Sequence, residues 1–192
     1  GGGSSTAGLA YGGSIPGGKT QATEEWNVGV PIGAWSSGGS RNTAMNNSGG
    51  SGTQTAALAF GGYVTSPASY SNKTESYNGT SWTELNDMTT GRTGVDHPPG
   101  TTITESWNGT NWTEVNDLNT ARDSMGSSTA GLATAAITFG GANPPSTGLA
   151  VTESYNGTNW TEVNDLNTAR RALAGAGTNT SALAYGGAPP PS

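Results

Sequence analysis

Apolar residues along this chain come in runs of five to seven positions, each closed by Asn-Gly, Gly-Gly or a Pro-rich stretch, which is the punctuation of strands and turns. No segment holds apolar residues at the three-and-four spacing of a helix, so the pattern predicts an all-β chain. In TESYNGTSWTEL, from Thr74, two alternating runs flank Asn78-Gly79, a dipeptide suited to the two positive φ angles of a type I′ turn. A two-residue turn would set Tyr77 opposite Thr80 and Glu75 opposite Trp82, leaving Tyr77 and Trp82 diagonal on one face. Trp107 with Trp112 and Tyr155 with Trp160 repeat that arrangement. A second kind of segment, LAGAG followed by ALAYGG, is built of Ala, Gly and a few larger apolar residues. That composition predicts strands buried on both faces, with the doubled glycines Gly61-Gly62, Gly140-Gly141 and Gly186-Gly187 turning the chain at strand ends.

These segments repeat. Residues Thr104 to Arg122 and Thr152 to Arg170 agree at 18 of 19 positions at an offset of 48, and the copy from Thr74 to Arg92 keeps 13 of the 19 found at Thr104. A degenerate copy starts at Thr23. The Gly-Gly block occurs four times, as GLAYGG at Gly8, ALAFGG at Ala57, AITFGG at Ala136 and ALAYGG at Ala182. The whole chain, 1–192, therefore reads as one array with units at 1–41, 42–92, 93–118, 119–166 and 167–192, the third truncated and the last partial. Four strands per period, two small and two aromatic, describe a propeller blade. The third unit lacks 18 residues between Arg92 and Thr104, through either a genuine deletion that leaves a two-stranded blade or residues skipped in the sequence. The chain opens on Gly1, as a piece of a longer product would. A propeller closes with about four to eight blades, so these incomplete units predict further sequence or closure by association into a homo-oligomer.

An apolar run ending in Gly-Gly, a Tyr on the next strand, a Trp on the one after and an Arg-bearing loop resemble the kelch repeat. Here these are Ala57 to Gly62, Tyr77, Trp82 and Arg92, then Phe139 to Gly141, Tyr155, Trp160 and Arg170. The resemblance implies a kelch-like β-propeller. The Thr/Asn/Gly-rich wording of TESWNGTNWTEVNDLNTAR and GTQTAALAFGG is similar to kelch-like arrays that marine bacteriophages encode among virion and tail-fibre genes, which implies a structural or adhesive role in a virion or outside the cell.

Composition narrows the chemistry. Leu, Ile, Val and Phe fill only 22 of 192 positions, so six Trp and six Tyr must supply much of the core. With seven Lys and Arg, a net charge of −6 and no basic run, a nucleic-acid partner is not expected. No apolar run is long enough for a membrane-spanning helix, so no membrane insertion is expected. The absence of cysteine excludes disulfides and thiolate chemistry. Copper oxidases similar to galactose oxidase need a Cys–Tyr crosslink and two histidines, whereas this chain has one histidine, His97. Glu114, Asn116, Asp117 and Asn119 resemble a string of calcium ligands. The stronger reading has Asp117 and Asn119 capping a turn and Arg122 bridging blades. Glu75 with Glu84 could be an acid–base pair, yet the pair recurs as Glu105 with Glu114 and Glu153 with Glu162, and catalysis needs one pair in one cleft. No catalytic residue, cofactor or metal is expected.

Recognition is expected where the units diverge, because binding residues concentrate in loops carried on a constant scaffold. The segments after each Gly-Gly differ most: Ser14 to Gln21, Tyr63 to Lys73 and Ala142 to Gly148. Ser14, Lys19, Tyr63, Tyr70 and Asn143 are the candidate contact residues, with Tyr63 and Tyr70 placed to stack on a sugar ring or a partner subunit. The expected partners are other virion or fibre subunits or a host-surface glycan. The rival readings are a secreted carbohydrate-binding adhesin and, disfavoured, a propeller enzyme.

Overall fold

The computed structural model describes residues 2–3, 7–28, 34–93, 101–128, 132–143 and 147–189. Every regular element among them is a strand. The chain forms two compact units, Gly1–Gly94 and Val95–Ser192.

In the first unit, β1 (Gly2–Gly3), β2 (Ala7–Tyr11), β3 (Ser14–Ile15), β4 (Gly18–Lys19), β5 (Thr23–Asn27) and β6 (Ala34–Ser37) are followed by β7 (Gly49–Thr53), β8 (Ala56–Phe60), β9 (Tyr63–Thr65), β10 (Ala68–Tyr70), β11 (Thr74–Tyr77) and β12 (Trp82–Glu84). They make two four-stranded antiparallel meanders, ordered β1-β2-β5-β6 and β7-β8-β11-β12, each with a small hairpin inserted between its second and third strands. These meanders are propeller-like blades. The second unit contains β13 (Thr104–Trp107), β14 (Trp112–Val115), β15 (Gly126–Ser127), β16 (Ala136–Phe139), β17 (Ala142–Asn143), β18 (Thr147–Gly148), β19 (Thr152–Tyr155), β20 (Trp160–Val163), β21 (Arg171–Thr178) and β22 (Ser181–Ala188). It holds one complete blade, β15-β16-β19-β20, preceded by the aromatic pair β13-β14 and followed by the Gly/Ala-rich pair β21-β22. His97 and the rest of 94–100 lie outside the described residues.

The aromatic hairpins form, but not in the expected register. Tyr77 lies directly opposite Trp82 and Glu75 opposite Glu84, with matching pairs at Trp107 and Trp112 and at Tyr155 and Trp160. The turn spans Asn78 to Ser81 because the Asn78 side-chain oxygen accepts the N–H groups of both Thr80 and Ser81 at 2.9 Å. Only Gly79 of the dipeptide takes a positive φ, +90°, so the type I′ geometry is not used. The rings consequently pair directly across the ribbon in tilted contact, with centroids 5.0, 5.4 and 5.1 Å apart in the three hairpins.

Of the doubled glycines, Gly61-Gly62 and Gly140-Gly141 turn the chain at strand ends as expected, whereas Gly186-Gly187 lie within β22, which runs on to Ala188. Gly61 and Gly62 both take left-handed φ, +61° and +124°, which lets their amides reach the carbonyls of Lys73 (3.0 Å) and Arg92 (2.8 Å) and starts the inserted hairpin. The small-residue strands differ from expectation: β7, the first strand of its blade, is largely exposed rather than buried on both faces, as is β22, while β21 is mostly half-buried. The small residues of β7 serve close approach instead: a Cβ at Gly50 would stand 1.6 Å from the Tyr11 hydroxyl of the preceding blade.

Packing concentrates where one blade meets the next. In the first unit Leu9, Ala57, Ala59, Tyr77 and Trp82 form the core, with Tyr11 laid edge-on against Trp82 at 5.0 Å. Trp82 Nε1 donates to Thr23 Oγ1 (2.9 Å), and Tyr77 Oη donates to Glu25 (2.5 Å). In the second unit Trp160 Nε1 donates to Thr104 Oγ1 (3.1 Å), one sheet to the next in the same sense. Trp112 and Trp160 are only half-buried, whereas Trp82 keeps 6% of its surface exposed.

Candidate functional site

Each of the three divergent segments contains a β-hairpin. β3–β4, β9–β10 and β17–β18 leave the second strand of a blade directly after its Gly-Gly pair and return to the third strand. Residues 144–146 at the tip of the third hairpin lie outside the described residues, and Asn143 stands exposed at its base, paired with Thr147.

In the first unit the hairpins β3–β4 and β9–β10 stand side by side, β4 against β9. Asn46, in the loop between the two blades, joins them. Its backbone exchanges hydrogen bonds with Tyr63 (N–H to O at 3.2 Å, and the return bond at 2.9 Å). Its side chain satisfies both ends when the oxygen accepts from Lys19 Nζ (2.8 Å) and Ser14 Oγ (3.2 Å) and the nitrogen donates to the Tyr63 carbonyl (3.2 Å). Lys19 Nζ also donates to Ser14 Oγ at 3.0 Å. Tyr63 and Tyr70 are direct cross-strand partners, so both rings leave the same face of their hairpin, 5.5 Å apart. Tyr70 is exposed and Tyr63 half-buried. Ser14, Lys19, Tyr63 and Tyr70 are thus gathered at one end of the unit, while Asn143 belongs to the other unit and is not part of this group.

The electrostatics of this end are mild. Lys73, at the foot of the second hairpin, is bonded to Glu84 (2.5 Å) and Asp87 (3.1 Å), and these bonds hold its ammonium above the usual lysine range. Lys19 is held among a hydroxyl and an amide oxygen. What the surface offers is a pair of aromatic faces beside hydroxyl, amide and ammonium groups. That combination covers the apolar face of a neutral polyhydroxylated ligand while meeting its hydroxyls.

The repeated carboxylates stand elsewhere and are engaged. Glu75 is buried at the first blade junction, where Arg41 Nη2 (3.3 Å), the Asn42 amide (2.8 Å) and Asn42 Nδ2 (3.1 Å) all donate to it. Burial pulls the Arg41 guanidinium below its ordinary pKa against the opposing charge of Glu75. Glu153 is held in the second unit by Arg122 Nη1 (2.5 Å), Asn119 N–H and Nδ2 (both 2.8 Å) and Thr120 N–H (3.2 Å). Burial alone would raise the pKa of Glu153, but the Asn119 and Arg122 donors outweigh it and hold the carboxyl below the usual range. Asp87, Asp117 and Asp165 each accept the first N–H of a third strand, from Thr74, Thr104 and Thr152. Arg122, in the loop between β14 and β15, holds Glu153 on β19 of the blade its loop leads into, whereas Asp117 caps its own hairpin. Asn119 reaches forward to the next sheet.

Two features escaped the pattern. Asn46 is replaced by Asp123 and Arg171 in other copies of its loop, Asp123 making the same backbone exchange with Ala142, so nothing repeated in the sequence marks the Asn46 side chain as a clip. The split of the Glu75–Glu84 and Glu153–Glu162 pairs into a buried and an exposed member follows from which sheet lies alongside, although the 48-residue recurrence of Arg and Glu was its visible trace.

No protein-family model and no curated protein sequence matches the chain. Among solved structures it is similar to that described as the structure of YjhT, with a TM-score of 0.73 over 92% of this chain and 71% of that one. The identity is 11%, so the likeness concerns the fold: an all-β chain of antiparallel, propeller-like sheets.

Proposed function

We propose that the chain is a non-enzymatic, kelch-like structural or adhesive element of a bacteriophage virion, a fibre, decoration or receptor-binding part. Its inserted hairpins hold a host-surface glycan or a neighbouring subunit. The observation that carries this reading is the gathering of Ser14, Lys19, Tyr63 and Tyr70 on two adjacent hairpins joined through Asn46, in segments that diverge while the blade segments recur. The engagement of Glu75 and Glu153 with arginines supports the absence of an acid–base centre, since both carboxylates already serve the junctions. The virion assignment rests on the Thr/Asn/Gly-rich wording of the repeats.

The test is binding of the full chain to an array of neutral oligosaccharides, with Tyr70→Ala and with the Tyr63–Tyr70 hairpin exchanged for Ala142–Gly148. Because Tyr70 is exposed, both variants should keep the wild-type far-UV spectrum and melting temperature and lose array binding. Binding unchanged in both variants, no binding by the wild type, or turnover of any sugar would refute the reading.

A further inference from the structure

The hairpin end of the first unit holds a charge that its own neighbours leave unneutralised. Ser14 and Lys19 are direct cross-strand partners on β3–β4, so both side chains leave one face of that hairpin. Lys19 Nζ donates to Ser14 Oγ (3.0 Å) and to the Asn46 side-chain oxygen (2.8 Å), and the Ser14 hydroxyl donates to the same oxygen (3.2 Å). The Asn46 amide nitrogen then donates to the Tyr63 carbonyl (3.2 Å). This closed triangle of side chains fixes where the ammonium stands. An ammonium carries three N–H donors, and the two acceptors that Lys19 meets among the described residues are both neutral.

Three other cations are matched: Lys73 stands between Glu84 and Asp87, Arg41 holds Glu75 and Arg122 holds Glu153. The sequence explains why Lys19 is not. Residues 26–74 contain no aspartate or glutamate, so neither the β9–β10 hairpin nor the loop of Asn46 can bring one to it, and Ser14 to Gln21 has none of its own. On a chain of net charge −6 this is a local excess of positive charge. It also coincides with the aromatic pair. Ala142 to Gly148, the corresponding segment of the second unit, has neither a lysine nor a tyrosine.

We propose that the glycan held at these hairpins carries an anionic substituent, a carboxylate or a sulfate ester, which the Lys19 ammonium takes while Tyr70 and Tyr63 cover the sugar ring beside it. This preference rests on the glycan reading of the same surface and adds the class of sugar. Lysine is a compact point charge that meets either anion, and holding it in place beforehand spares the ligand the entropy of ordering a flexible side chain. Asn46 bonds both the ammonium and the Tyr63 backbone, and β4 lies against β9, which keeps the charge on the strand next to the rings.

The probes are two matched pairs, trigalacturonic acid with its methyl ester and a sulfated galactose oligosaccharide with its desulfated form, titrated into the full chain by calorimetry. At low salt the charged member of at least one pair should bind at least about threefold more tightly, and salt at about 0.5 M should erase the difference. Lys19→Met should bring the ratio to about one, and Lys19→Arg should keep it. The pair that shows the ratio identifies the anion. Equal binding of both members of each pair, lost together in Tyr70→Ala, overturns the charge preference and leaves the glycan reading standing. A ratio that survives Lys19→Met also overturns the preference, and binding of none of the four sugars overturns both readings. The salt dependence of the wild-type ratio keeps the test decisive should Lys19→Met unfold the protein.

Discussion

Glu153→Gln exchanges one carboxylate oxygen for an amide in a side chain with no exposed surface, beside an Arg122 side chain that is equally enclosed. Four N–H donors converge on that carboxylate, from Arg122, Thr120 and, twice, Asn119. Glutamine can turn its oxygen to only one side, so its NH₂ must face donors, and the guanidinium is left as an uncompensated buried charge. Breaking a buried pair in this way costs about 3–5 kcal/mol, a large share of the roughly 5–15 kcal/mol that holds a domain folded. At about 4–8 °C per kcal/mol for a domain of this size, the melting transition should fall by tens of degrees. Glu162→Gln is the control, because Glu162 lies directly opposite on the neighbouring strand yet is exposed; it should stay within about 0.5 kcal/mol of wild type. Adding Arg122→Met to Glu153→Gln should recover part of the loss by removing the stranded charge. Urea melts followed by circular dichroism and tryptophan fluorescence read all four proteins. Equal midpoints for Glu153→Gln and Glu162→Gln would refute the account of the junction.

The same carboxylate predicts an acid limit. Since the folded-state pKa of Glu153 is depressed, its contribution is fully present above the ordinary value of about 4.5 and is lost as pH falls through the folded value, so Glu153→Gln should melt with a weaker pH dependence than wild type below pH ~4.5. Trp82→Ala should cost about 3–5 kcal/mol, because the ring is buried between Tyr11, Tyr77 and Arg41. Trp35→Ala, at 53% exposure and beside the ring of Trp26, should cost no more than about 1.5 kcal/mol, and chemical denaturation of the pair checks the contrast.

Much of the fold was legible because strands and turns are written locally. Alternation in TESYNGTSWTEL marks a pleated ribbon, Gly61-Gly62 marks a backbone that other residues resist, and the 48-residue recurrence marks the sheet as a repeated module. The positions of Ser14, Lys19, Tyr63 and Tyr70 in segments that diverge after Gly-Gly were legible for the same reason. The turn register was not, because the side chain of Asn78 chose between two closures of the same four residues by hydrogen bonds that no alternation pattern encodes.

What only the tertiary structure decided is which of several identical words is buried. Ala57 and Ala59 are buried in ALAFGG, while of the same alanines in ALAYGG Ala182 is exposed and Ala184 half-buried beside exposed Leu183; among the described residues β8 receives a third strand and β22 does not. The pairings that set this, Trp82 with Thr23, Arg122 with Glu153 and Asn46 with Lys19, join residues of different strands and loops. Burial, charge pairing and the gathering of Ser14 and Lys19 around Asn46 depend on neighbouring elements, so residues as alike in sequence as Glu75 and Glu84 part company according to what lies across from them in space.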